Sequence, residues 1–310
     1  MIKLSSKKIF KLLIPLFLVV FFLWVFYSVA FRWFRLAEGR TNILFLGIPG
    51  GAHAGKDLTD TLIFFSIDHQ TGDSLMFSLP RDIWIDSMRA KINTAYHYGG
   101  LDLAKAVTTE VLGQPINYAV LLDFGGFIKI VDVLGGVEIE VENAFDDYKY
   151  PIPGKENDNC DGDLEYQCRY EHLHFDAGWQ LMDGEKALKY VRSRYAEGDE
   201  GTDFARARRQ QRLLSAFVKK LFSFETFSHP SRISNLIGIL KQGVKTDILP
   251  ENYIGLAKLA LKFDSQKLRT EVLDFFVSPP ASAKYDYHWV LIPRKDWQEI
   301  HQHVLHLLSW

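Results

Sequence analysis

The fold class follows from the first apolar run behind the N-terminal segment, Asn42-Ile43-Leu44-Phe45-Leu46-Gly47. Five residues without a charge that end at a glycine are typical of a strand buried on both faces. Residues 61–67 and 74–79 repeat this pattern, and the second of these runs ends at Pro80. The three runs therefore predict neighbouring strands of one buried sheet.

Helical and strand patterns alternate along the chain after these runs. Apolar residues recur at helical spacing in residues 101–112 and 124–134, and residues 118–122 between them have the pattern of a strand. Such an alternation predicts a layered α/β domain. Residues 143–171 are rich in Asp, Asn, Tyr, Pro and Gly, so we expect a long loop there, of the kind that is usually functional.

The N-terminus differs in composition from the rest of the chain. Residues 1–11 contain four lysines, and residues 12–31 contain no charged residue. A helix needs about 20 apolar residues to cross a bilayer, so we expect an uncleaved transmembrane anchor at residues 12–31. The lysines favour a cytoplasmic N-terminus. Residues 32–41 then form a linker, and residues 42–310 form an extracytoplasmic domain at the cell membrane; the alternative is a cleaved secretory signal.

Charge and cysteine content narrow the class of function. Lys and Arg number 36 against 38 Asp and Glu, which gives a net charge of −2 and argues against a general nucleic-acid binder. Cys160 and Cys168 lie in the predicted loop, where an extracytoplasmic location permits a disulfide, with two free thiols as the alternative. No third ligand accompanies the pair His172 and His174, so the sequence does not predict a histidine metal site.

Arginines are concentrated in two stretches near the middle of the chain. Arg192 and Arg194 follow a short predicted helix, while Arg206, Arg209 and Gln210 lie near the N-terminus of a long one. Guanidinium groups stay charged and bind phosphate oxygens in pairs, and a helix N-terminus also favours anions. These stretches predict a site for a polyanionic ligand, provided that the chain runs extended after residue 191. The alternative is a solvated basic helix end with surface ion pairs.

A second group of polar residues adjoins the predicted strands. Arg81 and Asp82 follow the third apolar run, at the end of a strand where α/β sheets bind ligands. We expect Arg81 to reach a phosphate and Asp82 to orient it. Asp57 and Asp60 precede the second run and offer oxygen ligands for Mg²⁺, which often bridges substrate phosphates.

Two further polar residues are candidates for the same ligand. Lys91 is a point charge suited to phosphate, and Asn93 is suited to orienting a hydroxyl group. Structural alternatives exist for the neighbouring candidates, since Arg81 is also compatible with a local ion pair in a turn and Asp60 with a turn cap.

Taken in order, these motifs resemble the LytR-CpsA-Psr family of cell-wall glycopolymer ligases. The segments that carry the resemblance are residues 42–47 (NILFLG), 59–61 (TDT), 78–82 (SLPRD), 91–96 (KINTAY), 135–137 (GGV), 173–178 (LHFDAG) and 181–194 (LMDGEKALKYVRSR). Asp203, Arg206, Arg209 and Gln210 complete the set. The resemblance extends over about residues 42–221.

The resemblance implies a central mixed sheet between helices, with a deep apolar pocket for a lipid tail. It also implies a transferase that moves a glycopolymer from a polyprenyl pyrophosphate lipid to peptidoglycan or another wall polymer through a phosphodiester. The residues that it assigns to the pyrophosphate are Arg81, Arg192, Arg194, Arg206 and Gln210. By the same resemblance Asp60 is a magnesium ligand, and Asp82 supports the arginines or acts on the incoming hydroxyl.

Two positions depart from the family pattern. Pro49 stands where the usual acidic residue follows the first strand, and Leu58 stands where an arginine is usual. Asp57 and Lys56 are the nearby residues that would compensate. The departure at Pro49 motivates a second hypothesis, a non-catalytic polyprenyl-phosphate or wall-polymer binder. A third hypothesis is a hydrolase that releases the lipid-linked headgroup to water, while a transcription regulator is disfavoured because no basic groove-binding helix is evident.

Overall fold

The computed structural model describes residues 39–51, 55–221 and 223–309, which form a central six-stranded sheet with helices on both faces. The strands are β1 (Arg40–Ile48), β2 (Thr61–Asp68), β3 (Ser74–Leu79), β4 (Trp84–Ile85), β5 (Ala90–Lys91), β6 (Tyr118–Asp123), β7 (Val137–Val141), β8 (Phe145–Pro151), β9 (Tyr170–Phe175), β10 (Gly178–Met182), β11 (Val244–Thr246), β12 (Leu268–Val272), β13 (Phe276–Val277) and β14 (Ile292–Pro293). The order in the central sheet is β11-β6-β1-β2-β3-β12. It is mixed, because β1 runs parallel to β6 and antiparallel to β2. The predicted α/β class with a central mixed sheet is confirmed.

Helices fill the connections between the strands. They are α1 (Ala95–Leu112), α2 (Phe124–Val133), α3 (Gly184–Arg192), α4 (Asp203–Leu221), α5 (Phe224–Phe227), α6 (Pro230–Gly243), α7 (Tyr253–Lys262) and α8 (Trp297–Leu308). Within the described ranges, no helix combines the length and the apolar character that crossing a bilayer requires. The predicted anchor at residues 12–31 lies outside the described residues.

One face of the central sheet is a densely packed core. Alternate strand residues such as Leu44, Phe64 and Phe77 are almost fully buried there, and the rings of Phe64 and Phe77 stack with their centroids 4.8 Å apart. Helices α1 and α8 cover this face with Val107 and Val304 among others. Full burial of each large apolar side chain contributes about 1.5–3 kcal/mol, so this face holds the sheet together.

The second face of the sheet is apolar but less completely covered. Ile43, Phe45 and Phe65 point to this side and are only half-buried. The ring of Phe65 lies 6.4 Å from that of Phe45 and 6.2 Å from that of Phe263. Near β6 the face is closed by α2 and α6, which pack against Leu122, and Ile67 and Met76 on the same face are buried as well. An apolar surface of this kind is available to an apolar ligand.

The strand directions bring several polar segments to one edge of the sheet. Gly47 at the end of β1 pairs with Thr61 at the start of β2, and Leu62 pairs with Leu79 at the end of β3. Ile48 pairs with the last residue of β6. The segments that precede β2 and follow β3 therefore meet at the same edge, which we call the upper edge.

The prediction of a long loop at residues 143–171 is wrong in part, because β8 and β9 form a hairpin there. Phe145 and Phe175 stack across it, 5.0 Å apart, and anchor it in a second core with Tyr190. The sequence pattern did not indicate β8, because one of the buried residues of this strand is the charged Asp147. At the tip of the hairpin Cys160 and Cys168 form a disulfide with a Cα–Cα distance of 5.5 Å, which is one of the two alternatives that the sequence left open.

Candidate active site

Arg81 is the centre of a chain of ion pairs at the upper edge. Its guanidinium forms an ion pair with Asp60, and its Nε lies 3.4 Å from Asp82 Oδ2. The other carboxylate oxygen of Asp82 accepts a hydrogen bond from Lys91 Nζ at 2.7 Å. The sequence candidates Arg81, Asp82, Asp60 and Lys91 are thus brought together, with two cations and two anions that balance one another.

Asn93 fixes this group to the strands through its backbone. Its N–H donates to the carbonyl of Arg81 at 3.2 Å, and its carbonyl accepts from the backbone N–H of Thr59 at 2.9 Å. The N–H of Asp60 donates to the carbonyl of Gly47 at 2.9 Å. Side-chain Oδ1 of Asn93 is buried and has no hydrogen-bond partner among the described atoms. The backbone of Asn93 therefore joins the segments that precede β2 and follow β3.

A buried carboxylate organises the arginine segment that follows α3. Asp147 on β8 is fully buried, and its Oδ2 accepts from Ser193 Oγ at 2.7 Å and from the N–H groups of Arg194 and Tyr195 at 3.2 Å. Ser193 leaves the helix with φ −54° and ψ 127°. The chain therefore runs extended after Arg192, which is the condition for Arg192 and Arg194 to converge.

Three arginines lie close enough to Arg194 to act on its charge. The pKa of Arg194 is lowered, first by the protein packed around its guanidinium, then by the charges of Arg81 and Arg206, with Arg192 adding to them and Asp60 opposing them. Along its length Arg194 still reaches solvent. Like charges repel, so this crowding favours the binding of an anion between the arginines.

Aromatic rings hold Arg192 in this group. Its guanidinium lies 4.7 Å from the ring centre of Phe124 and 6.0 Å from that of Tyr150. Such cation–π contacts orient a guanidinium without neutralising its charge. The positive charge of Arg192 therefore remains available to an anionic ligand.

Arg209 is placed differently from the sequence prediction of a substrate contact. Only 1% of its surface is exposed, and its Nη1 donates at 2.8 Å to both the carbonyl and the carboxylate of Glu200. Its Nη2 donates to the carbonyl of Ser193 at 2.9 Å, and its guanidinium lies 4.7 Å from the Phe145 ring. A side chain enclosed in this way cannot reach a ligand, so Arg209 is a positioning residue for the arginine segment. Gln210, the next residue on α4, is half-buried.

Asp57 lies in a groove beside the arginine site. The groove is lined by Gly55, Lys56, Asp57, Leu58, Thr94, His97 and Tyr98. Within residues 39–51, 55–221 and 223–309, the one group of three metal-ligating side chains is Asp158, Cys160 and Cys168. Its sulfurs are bonded to each other. Asp60 and Asp57 are therefore not part of a side-chain cluster that would enclose a metal by itself.

Two acidic residues of this region were missed by the sequence analysis. Asp123 ends β6 beside Ile48, and its Oδ1 accepts from the N–H of Gly126 at 2.6 Å. The rule that ligands bind at strand ends would have pointed to Asp123. Asp147 had no comparable signal, because a buried carboxylate inside a polar stretch is indistinguishable from an exposed one in a single sequence.

A histidine cluster lies on the exposed side of the hairpin. Asp146 Oδ1 is 2.6 Å from His172 Nε2 and 2.8 Å from His174 Nδ1, and Asp176 Oδ1 is 3.1 Å from His174 Nε2. The pKa of His174 is raised by its hydrogen bond to Asp146 and secondarily by Asp176. Asp146 thus faces the histidines while the next residue holds the arginine segment.

The Arg209–Glu200 pair allows a test of the positioning role. We expect Arg209→Met to lower the free energy of unfolding by about 3–5 kcal/mol, because it leaves the Glu200 carboxylate buried without its cation. Arg209→Met combined with Glu200→Met should cost less than the single change. Urea unfolding measures both, and Arg208→Met on the exposed side of the same helix is the control. Unchanged stability of Arg209→Met would contradict the assignment.

The histidine cluster predicts a pH dependence of defined sign. Because the folded-state pKa of His174 is raised, its protonation stabilises the hairpin below about pH 6.5, the ordinary histidine value. That stabilisation is lost as the pH rises through the folded-state pKa. Asp146→Asn should lower the pKa of His174, and Asp176→Asn should lower it less. An NMR titration of the imidazole protons measures both, and an Asp146→Asn curve that overlays the wild-type curve would refute the cluster.

Comparison with known proteins identifies relatives of this chain. Residues 29–291 match the LytR_cpsA_psr family. The chain is 29% identical over 236 residues to the polyisoprenyl-teichoic acid–peptidoglycan teichoic acid transferase TagV of Bacillus subtilis (strain 168), covering 74% of this chain and 55% of TagV. It is 28% identical over 221 residues to TagU of Bacillus cereus, which bears the same transferase name, covering 70% of this chain and 63% of TagU.

The chain therefore spans a little over half to just under two thirds of the length of these relatives. The crystal structure of B. subtilis TagV superimposes with a TM-score of 0.64 at 25% identity, covering 89% of this chain and 99% of that one. The family match over most of the sequence and the shared fold agree with the motifs described above. The chain belongs to the LytR-CpsA-Psr family.

Proposed function

We propose that the protein is a transferase that moves a glycopolymer from a polyprenyl pyrophosphate carrier to a cell-wall acceptor such as peptidoglycan. The observation that carries the proposal is the crowding of Arg194 by the charges of Arg81, Arg206 and Arg192, on a segment that the buried Asp147 holds extended. The names of TagV and TagU, which are called polyisoprenyl-teichoic acid–peptidoglycan teichoic acid transferases, support the same activity.

A pyrophosphate diester suits the charge and geometry of this point. Guanidinium groups bind phosphate oxygens bidentately, and binding of an anion relieves the repulsion between the arginines. Arg206 lies in the first turn of α4, where backbone N–H groups and the helix dipole add to the positive potential. Arg209 holds the segment that follows α3 in place through its hydrogen bond to the carbonyl of Ser193.

The second face of the sheet provides a surface for the lipid tail. Ile43, Phe45 and Phe65 are half-buried on that face, directly below the edge that carries the arginines. An isoprenoid chain that covers them gains about 25 cal/mol for each Å² of apolar surface removed from water. The site then recognises both a pyrophosphate and the hydrocarbon attached to it.

The reaction is a phosphoryl transfer without a covalent enzyme intermediate. A hydroxyl oxygen of the acceptor attacks the phosphorus that carries the glycan, and the bond from that phosphorus to the bridging pyrophosphate oxygen breaks. Polyprenyl phosphate leaves, and the arginines neutralise its developing charge. The hydroxyl proton passes to a nearby carboxylate, which we assign to Asp82. A loose transition state needs little assistance from this base.

Magnesium is part of the proposal through Asp60. Mg²⁺ is usually held by one or two carboxylates together with substrate phosphates, so Asp60 fits as a ligand beside the arginines, with Asp57 as the second candidate. When bound, the ion adds positive charge to the transferring phosphates. Pro49 supplies no carboxylate, so Asp60 and Asp57 are the residues that would hold the ion. The binder hypothesis rests on this same position.

The arginine site predicts the outcome of substitutions on α4 and in the extended segment that follows α3. Arg206→Ala, and separately Arg194→Ala, should lower the rate of transfer by at least about 100-fold, because each removes a cation from the transferring phosphate. Arg208→Ala is the matched control, since Arg208 lies on the same helix and pairs at its exposed surface with Glu142. The assay uses the full chain, a synthetic polyprenyl pyrophosphate glycan, a peptidoglycan-like acceptor and Mg²⁺, with detection of both products by mass spectrometry.

The same assay separates the three hypotheses. Linked glycan together with polyprenyl phosphate, both abolished by chelation of Mg²⁺, supports the transferase. Release of the glycan phosphate to water whether or not an acceptor is present points to the hydrolase. Retained lipid without any product points to the binder, and wild-type rates in Arg206→Ala refute the site itself.

A further inference from the structure

Helix α7 exposes an apolar stripe on its outer side. Tyr253 and Ile254 are each 55% exposed, and Leu261 is 77% exposed. With Ala257 they occupy an arc of about 100° on the helix, at the positions i, i+1, i+4 and i+8. Leu259 points the opposite way and is 4% exposed. This helix is therefore apolar on its outer side as well as on its buried side, whereas a surface helix normally carries polar residues on its outer side.

Lysines lie next to the stripe on the helix surface. Lys258 and Lys262 follow its edge at about 140° and 180° on the same wheel. Lys262 Nζ donates to the backbone carbonyl of His69 at 2.6 Å, which fixes the end of α7 to the turn between β2 and β3. An apolar strip that is bordered on one side by lysines occurs on helices that lie in the interface of a bilayer.

The position of α7 in the fold points to the same occupant. The N–H of His69 donates to the carbonyl of Gly39 at 2.9 Å, so α7 ends two hydrogen bonds away from the first described residue. Gly39 continues directly from the N-terminal part of the chain, in which residues 12–31 carry no charge. The end of the sheet that receives this segment is the end opposite to the arginines, since β1 begins there.

We propose that the α7 stripe, Tyr253, Ile254, Ala257 and Leu261, docks the domain on the lipid bilayer. The inference rests on the proposed function, because only a lipid-linked substrate requires the domain to lie on the membrane. The nine residues of β1 span about 26 Å at 3.3 Å per residue, which separates the arginines from the docked end. Ile43, Phe45 and Phe65, the half-buried residues of the second face, lie between the docked end and the arginines, and the lipid tail contacts them on its way from the membrane.

The test measures the depth of α7 directly in a bilayer. The full chain is reconstituted in vesicles of phosphatidylglycerol and phosphatidylcholine, with an environment-sensitive fluorophore attached to Ala257→Cys. The two native cysteines are joined in a disulfide, so the introduced thiol is the one that reacts. Leu164→Cys is the control, because Leu164 is 89% exposed on the hairpin tip. Lipids that carry a nitroxide near the headgroup then quench a fluorophore that lies in the interface.

We expect quenching at Ala257→Cys at least about twofold greater than at Leu164→Cys, because an interfacial helix buries its apolar face by about 5–10 Å. Ile254→Asp with Leu261→Asp should remove this excess, whereas Leu164→Asp should not. Equal quenching at the two labels would overturn the proposal. So would proximity between labels on two copies that rises with protein concentration, since the stripe would then be a contact between protein chains.

This readout does not depend on turnover. A protein that is quenched at Ala257→Cys but transfers no glycan keeps the docking surface and loses the proposed function. A protein that transfers glycan without such quenching keeps the function and loses the docking surface. The two proposals therefore fail separately.

Discussion

Repulsion between guanidinium groups is the energetic constraint on which the structure around the arginines depends. Arg194 is crowded by Arg81, Arg206 and Arg192, and Asp60 opposes part of this repulsion. Two buried anions hold the backbone that carries it. Asp147 accepts three hydrogen bonds from residues 193–195, and Glu200 holds Arg209, which in turn holds the carbonyl of Ser193. The binding site for an anion is thus already assembled in the folded state, because the free-energy cost of bringing the positive charges together is offset when the chain folds.

The second face of the central sheet places an apolar surface next to the arginines. One face of the central sheet is closed by α1 and α8, and the other keeps half-buried phenylalanines at its middle. A site that joins concentrated positive charge to an apolar surface selects an amphiphile with an anionic head. In the proposed function, this combination distinguishes a lipid-linked pyrophosphate from a nucleotide or a free sugar phosphate, which would leave the apolar face uncovered.

The sequence predicted what depends on local pattern and missed what depends on burial. The strands β1, β2 and β3 were placed to within one or two residues, because uncharged runs that end at Gly47 or Pro80 have few alternatives. The convergence of Arg192 and Arg194 was stated as a condition on the backbone, and Ser193 meets it. The hairpin of β8 and β9 was not foreseen, since Asp147 is buried by partners more than 40 residues away. Arg209 was misassigned for the same reason, because pattern alone does not separate an enclosed arginine from an exposed one.

The most direct test of the account is whether the arginine cluster binds the pyrophosphate of a prenyl lipid. Calorimetric titration of the full chain in detergent with farnesyl pyrophosphate, farnesyl monophosphate and farnesol measures this without any acceptor or turnover. The account predicts that affinity falls in that order, that the difference shrinks as salt is raised, and that Arg194→Ala removes most of it while Arg208→Ala does not. Equal affinity for farnesol and farnesyl pyrophosphate, or an unchanged preference in Arg194→Ala, would contradict the central claim.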